Sequence, residues 1–321
     1  MRVIVFAARI LVAAVFLFSG FVKLVDPLGS SYKFQEYFGE DVLNLEFLIP
    51  LALPFSILLI LVEILLGVTL LIGYKTKWTV WSLFVINLFF LFLTWYSAYF
   101  DKVTDCGCFG DALKLSPWDT FYKNVVLLIV ILPLFQFRYV KPIFSPVLLK
   151  RITIFCFLVF VFITNHVLMH LPIVDFRAYA IGKNIQEGME YQDGNDELPP
   201  VHDFFLESET EDLTTTILEA PKSMLVISYN LDNAEEANFE AIKEVTQQAK
   251  DKGYLVYGVS ASATSDLNAL KKKLELPFEF LFCDETTLKT MVRANPGIVT
   301  IEKATVTGKW SWRDADKVQL K

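Results

Sequence analysis

Two cysteines separated by one glycine, Cys106 and Cys108, are the residues of this 321-residue chain best suited to chemistry. The Cα atoms of residues i and i+2 come within the roughly 4.4–6.8 Å that a disulfide tolerates, although the small ring is strained. A strained disulfide is more oxidising and exchanges more readily, which suits the transfer of oxidising equivalents. Gly107 supplies the backbone freedom that such a turn needs. Asp105 and Asp111 act in the opposite sense, because nearby carboxylates raise the pKa of a thiol and slow its attack.

The alternative interpretation is that the two thiols only brace a loop. Metal binding is less well supported, because a closed metal site needs further Cys or His ligands. His166 and His170 share a helix face at i, i+4, where we expect packing and hydrogen bonding rather than a ligand role. Cys156, in the middle of an apolar span, is expected to be inert, and Cys283 is expected to be a small buried hydrophobic residue. We therefore predict no metal site, and the Cys-Gly-Cys pair is the candidate catalytic site.

The composition indicates a membrane protein with two unlike halves. The chain is 54% hydrophobic and 20% charged, with a mean hydropathy of +0.45, whereas soluble domains are about 45–50% apolar and about 25% charged. Up to Asp175 there are 13 Lys and Arg against 11 Asp and Glu, and from Phe176 onward there are 16 against 25. The net charge of −7 leaves no basic patch for phosphates, so nucleic acid is not expected as a partner.

Five apolar segments are long enough to cross a lipid bilayer, since a span needs about 20 residues. They are predicted at 3–24, 47–72, 78–100, 121–137 and 152–171. The first is interpreted as a retained span rather than a cleaved signal peptide, because its apolar run is long and no small-residue cleavage site follows it. The first half of the chain is thus predicted to be a helical bundle in the bilayer.

Basic residues predict the orientation of the bundle. With the N-terminus in the cytoplasm, the cytoplasmic side receives Arg2, Lys75, Lys77, Arg138, Lys141, Lys150 and Arg151. The opposite loops carry Asp26, Glu36, Glu40, Asp41, Glu46, Asp101, Asp105, Asp111 and Asp119. This topology predicts a multi-pass protein of the bacterial inner (plasma) membrane. Its Cys-Gly-Cys loop and acidic C-terminal domain then face the periplasm, where disulfides form and persist.

Arg9 and Glu63 are ionisable residues inside the first and second predicted spans. Counted from the cytoplasmic ends of these spans, their depths differ by about 6 Å, which two flexible side chains can cover. We therefore predict that they form an intramembrane polar pair. Two roles remain open for this pair: a structural ion pair between the first two spans, and a proton or quinone site.

These residues also carry a family resemblance. Arg9, the run FSGFVKL at 18–24 and the run VEILLG at 62–67 resemble the DoxX family, and CGCFG at 106–110 resembles the related MauE branch of redox-associated membrane proteins. The resemblance covers about the first 140 residues. It implies a four-helix membrane bundle tied to thiol or quinone redox, or to the maturation of disulfide-bonded proteins.

The resemblance also implies roles for single residues. It implies a redox role for Cys106 and Cys108, and a helix-pairing or site role for Arg9, Lys23 and Glu63. No cofactor is evident in the sequence itself, and quinone is the one that the family suggests. The related vitamin K epoxide reductases use a Cys-x-x-Cys motif, which this loop lacks.

Beyond Asp175 the sequence alternates between strand and helix patterns. Residues 176–198 lack periodicity and are interpreted as a linker. Strands are predicted at 224–229, 255–260, 278–282, 298–301 and 304–307, and helices at 234–252, 266–274 and 286–293, the first with a capping box at Asp232 and Glu235. This order predicts a mostly parallel sheet that ends in antiparallel strands. The predicted divisions are a membrane domain at 1–140, a fifth transmembrane helix at 141–175, the linker, and an α/β domain at 199–321.

The order of elements resembles a thioredoxin-like domain over residues 199–317. The segment HDFFL at 202–206 resembles the entry segment of that family, and Asn295-Pro296-Gly297 falls where the family places its cis-proline. The family's Cys-x-x-Cys is absent from residues 230–236, so dithiol exchange by the family mechanism is not expected. The resemblance implies that the backbone at Asn295 and Pro296 pairs with an extended peptide of a partner. A passive cap over the membrane bundle is the alternative.

Together these observations predict an inner-membrane protein that acts in periplasmic thiol–disulfide redox or in the maturation of disulfide-bonded proteins. The family resemblance adds quinone as the electron carrier to which the redox role could be linked. Its C-terminal module would bind a periplasmic or membrane protein partner, and its enzymatic activity would be thiol–disulfide oxidoreduction. The alternative is a non-catalytic membrane assembly or scaffold subunit whose cysteines only brace a loop.

Overall fold

The chain consists of a helical unit, Met1–Leu168, and an α/β unit, Met169–Lys321. The structure is a computed structural model that describes residues 1–103, 105–191, 198–231, 234 and 236–321. Apolar helices followed by a mixed five-stranded sheet confirm the predicted fold class.

Within the described residues, five helices are long and apolar enough to cross a membrane. They are α1 (Arg2–Val25), α3 (Ala52–Ile72), α4 (Thr76–Tyr99), α5 (Pro117–Ile131) and α6 (Pro146–Met169). Short 3-10 helices extend α3 at its start (Glu46–Leu51) and α5 at its end (Leu132–Phe135). Large apolar side chains stay exposed along these helices, among them Trp81, Val85, Phe89 and Phe92 on α4. Such a surface suits contact with lipid, and the five predicted spans are confirmed as helices.

A helix that the sequence patterns did not predict, α2 (Pro27–Phe38), follows α1 directly. The Asp26 side chain caps it by accepting a hydrogen bond from the Gly29 N–H at 3.0 Å, and Pro27 takes the first helical position, where its missing N–H costs nothing. The Ser56 hydroxyl of α3 donates to the Pro27 carbonyl at 3.2 Å. These contacts hold α2 against the bundle at the end where α1 finishes.

Close packing of α1 against α3 sets the register of the first two spans. A Cβ atom on Gly20 would lie 2.7 Å from Ile64 Cβ, and one on Gly67 would lie 2.8 Å from Leu17 Cγ. Small residues at such positions let two helix backbones approach closely within a membrane. Residue 20 therefore lies beside residue 64 and residue 17 beside residue 67, which makes the two helices antiparallel.

Helix α6 contributes little to the interior of the helical unit. Its buried residues are Leu149, Thr164 and Val167, while Phe160 and Ile163 pack in part against the cluster formed by Leu24, Ile60 and Ile64. Most of its apolar surface is left for lipid.

The second unit is built on a sheet of order β3-β2-β1-β4-β5. Its strands are β1 (Ser223–Ile227), β2 (Leu255–Ser260), β3 (Glu279–Phe282), β4 (Gly297–Glu302) and β5 (Thr305–Ser311). Strands β1, β2 and β3 are parallel, and β4 is antiparallel to both β1 and β5. The helices are α7 (Ile185–Gly188), α8 (Thr214–Glu219), α9 (Glu236–Asp251), α10 (Thr264–Leu274) and α11 (Glu285–Met291). The predicted capping box at Asp232 and Glu235 lies outside the described residues.

The central strand β1 is buried along its whole length, because successive side chains of a strand point to opposite faces and both faces are covered. Leu225 and Ile227 enter one apolar cluster, and Met224 and Val226 enter the other. This explains why β1 reads as a continuous apolar run rather than as an alternating one.

The segment 176–198 is not a simple linker in its described part, residues 176–191 and 198. Tyr179 and Ile185 are buried in the core of the α/β unit, and the Ile185 N–H donates to the Ala304 carbonyl at 2.8 Å. The prediction failed because these isolated apolar residues pack through loops and a one-turn helix, which leave no periodic signal.

A buried charge cluster joins this segment to β5. The Asp175 carboxylate accepts from Arg177 Nε at 2.7 Å and Nη2 at 2.9 Å, and from Lys309 Nζ at 2.6 Å. Both cationic side chains are almost completely buried. Burial alone would raise the pKa of Asp175, but the charges of Arg177 and Lys309 outweigh burial and lower this pKa to about 2.

The cluster predicts a specific dependence of stability on sequence and pH. Asp175→Asn removes the counter-charge of the buried Arg177 cation and of Lys309, whose pKa burial lowers to about 7, so we expect a loss of about 3–5 kcal/mol in the unfolding free energy of the α/β unit. Since the folded-state pKa lies below the ordinary 3.8, the wild-type contribution is present above about pH 4 and is lost as the pH falls towards 2. Both effects are measured by urea unfolding of the full-length protein in detergent at several pH values. The protection of the β5 backbone amides from hydrogen exchange reports on unfolding of the α/β unit.

Asp251→Asn is the matched control, because Asp251 is exposed at the end of α9. Among the described residues, its carboxylate accepts one hydrogen bond, from the Gln247 side-chain amide at 3.0 Å. We expect this variant to stay within about 0.5 kcal/mol of wild type. Equal losses in the two variants would contradict the assigned role of Asp175.

Candidate functional site

The thiol loop, defined as residues 105–111, is held at one end of the bundle by contacts to α1 and α2. The Ser19 hydroxyl of α1 donates to the Cys108 carbonyl at 2.7 Å. Lys33 Nζ of α2 forms an ion pair with Asp105 Oδ2 at 3.0 Å, and Asp105 Oδ1 accepts from the Gly107 N–H at 2.7 Å. The loop is therefore held in place by non-covalent contacts. We call this end of the bundle the thiol end.

The residue between the cysteines has to be glycine for two reasons. Gly107 adopts a φ of +63°, in the left-handed region that side chains disfavour. A Cβ atom there would also lie 2.9 Å from Lys33 Cγ. Phe109, which follows Cys108, packs against two neighbours. The centroid of its ring lies 5.4 Å from the centroid of the Phe18 ring and 4.5 Å from Lys123 Nζ.

The two thiols are free and stand in different environments. Cys106 is buried, and burial is the largest cause that raises its pKa to about 11, with Cys108 and Asp105 adding to the rise. The hydroxyls of Tyr37 and Thr120 hydrogen-bond its sulfur and work in the opposite sense. Cys108 is partly exposed. The pair thus combines one accessible thiol with one that is shielded and hydrogen-bonded.

Both cysteines line a cavity of about 60 Å³ at the thiol end. Phe34, Phe89 and Phe90 supply aromatic walls, and Lys23, Tyr37 and Thr94 supply polar groups. At roughly 10–15 Å³ for each water, this volume holds a few water molecules or one small group. The cavity brings polar and apolar surface to the sulfur atoms without exposing Cys106 to bulk solvent.

A buried ion pair lies beneath the thiol loop. Lys23 Nζ of α1 donates to Glu63 Oε2 of α3 at 2.7 Å and to Ser19 Oγ at 3.0 Å, and both charged side chains are less than a tenth exposed. Ser19 in turn donates to the Cys108 carbonyl. A continuous chain of hydrogen bonds therefore connects Glu63, inside the bundle, to the backbone of the exposed cysteine.

The predicted pair of Arg9 with Glu63 was wrong. Arg9 instead donates to the carbonyls of Leu70 and Leu71, at 2.9 and 2.8 Å, and to that of Lys141 at 2.9 Å. It thereby satisfies the last carbonyls of α3, where the helix dipole favours a cation.

The error has a geometric cause. The register set by Gly20 and Gly67 places Glu63 level with residue 21 of α1, which is about 18 Å along the helix from Arg9. Counting depth from the ends of the predicted spans ignored this register.

In the α/β unit, the residues singled out from the sequence are Asn295, Pro296 and Cys283. The peptide bond between Asn295 and Pro296 is cis. The Asn295 side chain binds the end of β1, accepting from the Ser228 hydroxyl at 2.8 Å and donating to the Asn230 carbonyl at 2.6 Å. Cys283 is buried and its pKa is raised to about 12, mainly by burial.

Of the histidine pair His166 and His170, His170 Nδ1 lies 2.7 Å from Asp314 Oδ2 within the α/β unit. Among the residues that the structure describes, no group of three or more His, Cys, Asp or Glu side chains is arranged to hold a metal ion.

Sequence reasoning missed two residues of the site, Tyr37 and Thr120, and it did not give Lys23 its partner. Lys23 was named through the family resemblance but not as the partner of Glu63, although its i+4 spacing from Ser19 was a usable signal. Thr120 follows the Ser116-Pro117 start of α5, and its spacing from the cysteines gave no indication of contact. Tyr37 was missed together with α2.

These features define a multi-pass membrane protein with a Cys-Gly-Cys loop at one end of its bundle and an α/β domain at its C-terminus. Residues 1–136 match the family model described as "Methylamine utilisation protein MauE". The membrane region is therefore MauE-like, which confirms the resemblance carried by the CGCFG loop. No match was found among curated proteins or among solved structures.

The revised pairing predicts an energetic coupling between Lys23 and Glu63. Lys23→Met or Glu63→Gln each leaves a buried charge alone, so each is expected to cost about 3–5 kcal/mol, while the double variant costs less than their sum. Unfolding of the purified protein by a graded series of denaturing detergent measures the free energies.

Arg9→Gln combined with Glu63→Gln is the matched comparison. Because these residues do not touch, we expect their effects to add within about 0.5 kcal/mol. A coupling larger for Arg9 with Glu63 than for Lys23 with Glu63 would refute the pairing.

Proposed function

We propose that this MauE-like membrane protein exchanges thiols and disulfides with a protein partner, with Cys108 as the attacking thiol and Cys106 as the resolving thiol. The observation that carries the proposal is the asymmetry of the pair, in which one thiol is accessible and the other is shielded beside hydroxyl donors. An exchange pair needs an accessible sulfur for the partner and a second sulfur protected from it.

The exchange balances within the two proteins. The Cys108 thiolate attacks one sulfur of a partner disulfide, so that a mixed disulfide forms and the other partner sulfur leaves as a thiolate. The Cys106 thiolate then attacks Cys108 Sγ, forming the Cys106–Cys108 disulfide and releasing the second partner thiolate. Two electrons pass to the partner, and the two protons lost by the cysteines are taken up by its thiolates. The reverse sequence oxidises a partner dithiol, and the relative reduction potentials decide the direction.

The thiol end and the α/β unit are proposed to face the periplasm, with the N-terminus in the cytoplasm. The support is the distribution of charge, because Lys and Arg predominate in the loops at the opposite end and acidic residues in the loops at the thiol end. An oxidising compartment would let a disulfide between the two cysteines form and persist.

The α/β unit is proposed to be a thioredoxin-like module that recognises the partner. The sheet, with three parallel strands followed by two antiparallel ones, and the cis bond at Asn295 and Pro296 support this proposal. Residues 230–236 contain no cysteine, so the module contributes binding and the membrane unit contributes the thiols. An extended peptide beside Pro296 would add main-chain hydrogen bonds.

Quinone as the electron acceptor stays a prediction from the family resemblance. The cavity of about 60 Å³ is smaller than the roughly 150 Å³ that accommodates benzene in an engineered protein core. A quinone ring therefore does not fit inside the cavity at its present volume, and no step of the proposed exchange passes through one.

The assigned roles predict opposite outcomes for the two single cysteine variants. With Cys106→Ser, the mixed disulfide at Cys108 cannot be resolved, so partner proteins should accumulate in covalent complex. With Cys108→Ser, the complex should be lost. Non-reducing electrophoresis and mass spectrometry of acid-quenched membranes measure the amounts.

Cys156→Ser and Cys283→Ser are the controls, since these thiols lie outside the loop and should leave trapping at the wild-type level. Failure of Cys106→Ser to trap any protein would contradict the exchange function. In that case, partner assembly that survives in the double serine variant but not after removal of residues 199–317 would support the scaffold alternative.

The proposed orientation is tested by a reagent that cannot cross the inner membrane. In a variant with Cys108 as the only thiol, a sulfonated maleimide should label intact cells. Ser145→Cys, in the exposed loop before α6, should be labelled only after the inner membrane is permeabilised. The reverse pattern would place the thiol loop in the cytoplasm.

A further inference from the structure

The resolving step makes a demand that burial of Cys106 opposes. This thiol has to become a thiolate before it can attack Cys108, and desolvation disfavours the charged form. The titratable groups that border its cavity or act on it are Cys108 and Asp105 on its own loop, Tyr37 and Lys33 on α2, and Lys23 on α1. Lys33 is paired with Asp105 and Glu36, and Lys23 with Glu63.

The hydroxyls of Tyr37 and Thr120 both lower the pKa of Cys106. Tyr37 lines the same cavity as Cys106, and the other contacts of the two hydroxyls tell them apart. Thr120 Oγ1 donates to the Ser116 carbonyl at 3.0 Å, and a hydroxyl has one proton to give. Its proton is therefore shared with the Ser116 carbonyl, which makes Thr120 the weaker donor to the Cys106 thiolate.

Tyr37 is placed as the donor. Ser97 Oγ of α4 donates to the Tyr37 oxygen at 3.5 Å, which leaves the single phenolic O–H for the sulfur. Burial raises the pKa of Tyr37, so this O–H keeps its proton over the range in which Cys106 ionises.

We propose that Tyr37 is a positioning residue that stabilises the Cys106 thiolate through its O–H group during closure of the Cys106–Cys108 disulfide. The inference rests on the proposed exchange function, since it assigns the group that makes the shielded cysteine reactive. Tyr37 remains chemically unchanged in the step. Two elements, α2 and α4, are thereby given a role in activating a cysteine on a loop.

The first test isolates Cys106 in the full-length protein with Cys108→Ser, Cys156→Ser and Cys283→Ser. The rate of its reaction with methyl methanethiosulfonate is measured against pH by intact mass. Tyr37→Phe should raise the apparent pKa by about one unit, because it removes one hydrogen bond to a charged group. Below this pKa, the thiolate fraction falls about tenfold, greater nucleophilicity returns roughly threefold, and the rate falls about threefold.

Tyr96→Phe is the matched control, because the Tyr96 hydroxyl donates to the Val42 carbonyl at 2.9 Å and does not stabilise Cys106. Its pH profile should coincide with that of the parent. A Tyr37→Phe profile that also coincides with the parent would overturn the inference.

The second test follows closure itself. Reduced protein with Cys106 and Cys108 as its only thiols should release two equivalents of thionitrobenzoate from Ellman's reagent. The first comes from attack by Cys108, and the second from attack of Cys106 on the Cys108 mixed disulfide. Tyr37→Phe should slow the second release about threefold and leave the first unchanged. Equal slowing of both would indicate a merely structural role and count against the inference.

A variant of opposite sign covers the case in which Tyr37→Phe does not fold. Incorporation of 3-fluorotyrosine at position 37 keeps the shape and makes the phenol a stronger donor, so it should lower the apparent pKa of Cys106; no shift would overturn the inference. Release of a single equivalent by the parent protein would contradict the exchange function, and the single-thiol pH profile would then decide the role of Tyr37 by itself.

Discussion

The ion pair between Lys23 and Glu63 is the interaction on which the thiol end of the bundle depends. Either charge alone inside a membrane bundle would cost several kcal/mol. In the pair the two opposite charges balance, and Lys23 donates a hydrogen bond to Glu63. Lys23 also donates to the Ser19 hydroxyl, which in turn donates to the Cys108 carbonyl. The ion pair between two helices thereby also helps to fix the position of the thiol loop.

The two cysteines differ in exposure and in the groups that surround them. Cys108 is fixed through its carbonyl, which leaves its side chain partly exposed. Cys106 is buried, and the hydroxyls of Tyr37 on α2 and Thr120 on α5 lower the pKa of its thiol. Lys33 and Asp105 hold the loop through an ion pair and a hydrogen bond to the Gly107 N–H, and Ser19 holds it through the Cys108 carbonyl.

Elements with a strong periodic signal were predictable from the sequence. The apolar spans and the strands at 223–227 and 255–260 follow from hydrophobic runs whose length matches a bilayer or a buried strand. Helix α2 was not predictable in this way, because twelve residues of mixed polarity are too short for a span and its stability comes from packing on α3.

The candidate site was predictable only in part. Cys106 and Cys108 could be identified from their residue type and spacing. Tyr37, 69 positions earlier in the chain, reaches them only through the fold. Arg9 shows the same limit, since its partners are carbonyl groups, which every residue carries and which no sequence pattern distinguishes.

The shallow attachment of α6 bears on how such a chain arises. A helix with three buried residues takes almost nothing away from the four-helix interior when it is gained or lost. The match of residues 1–136 to a family model ends before this helix starts. Gain or loss of the α6 segment together with the α/β unit would therefore remove few buried contacts from the part of the chain that matches the family model.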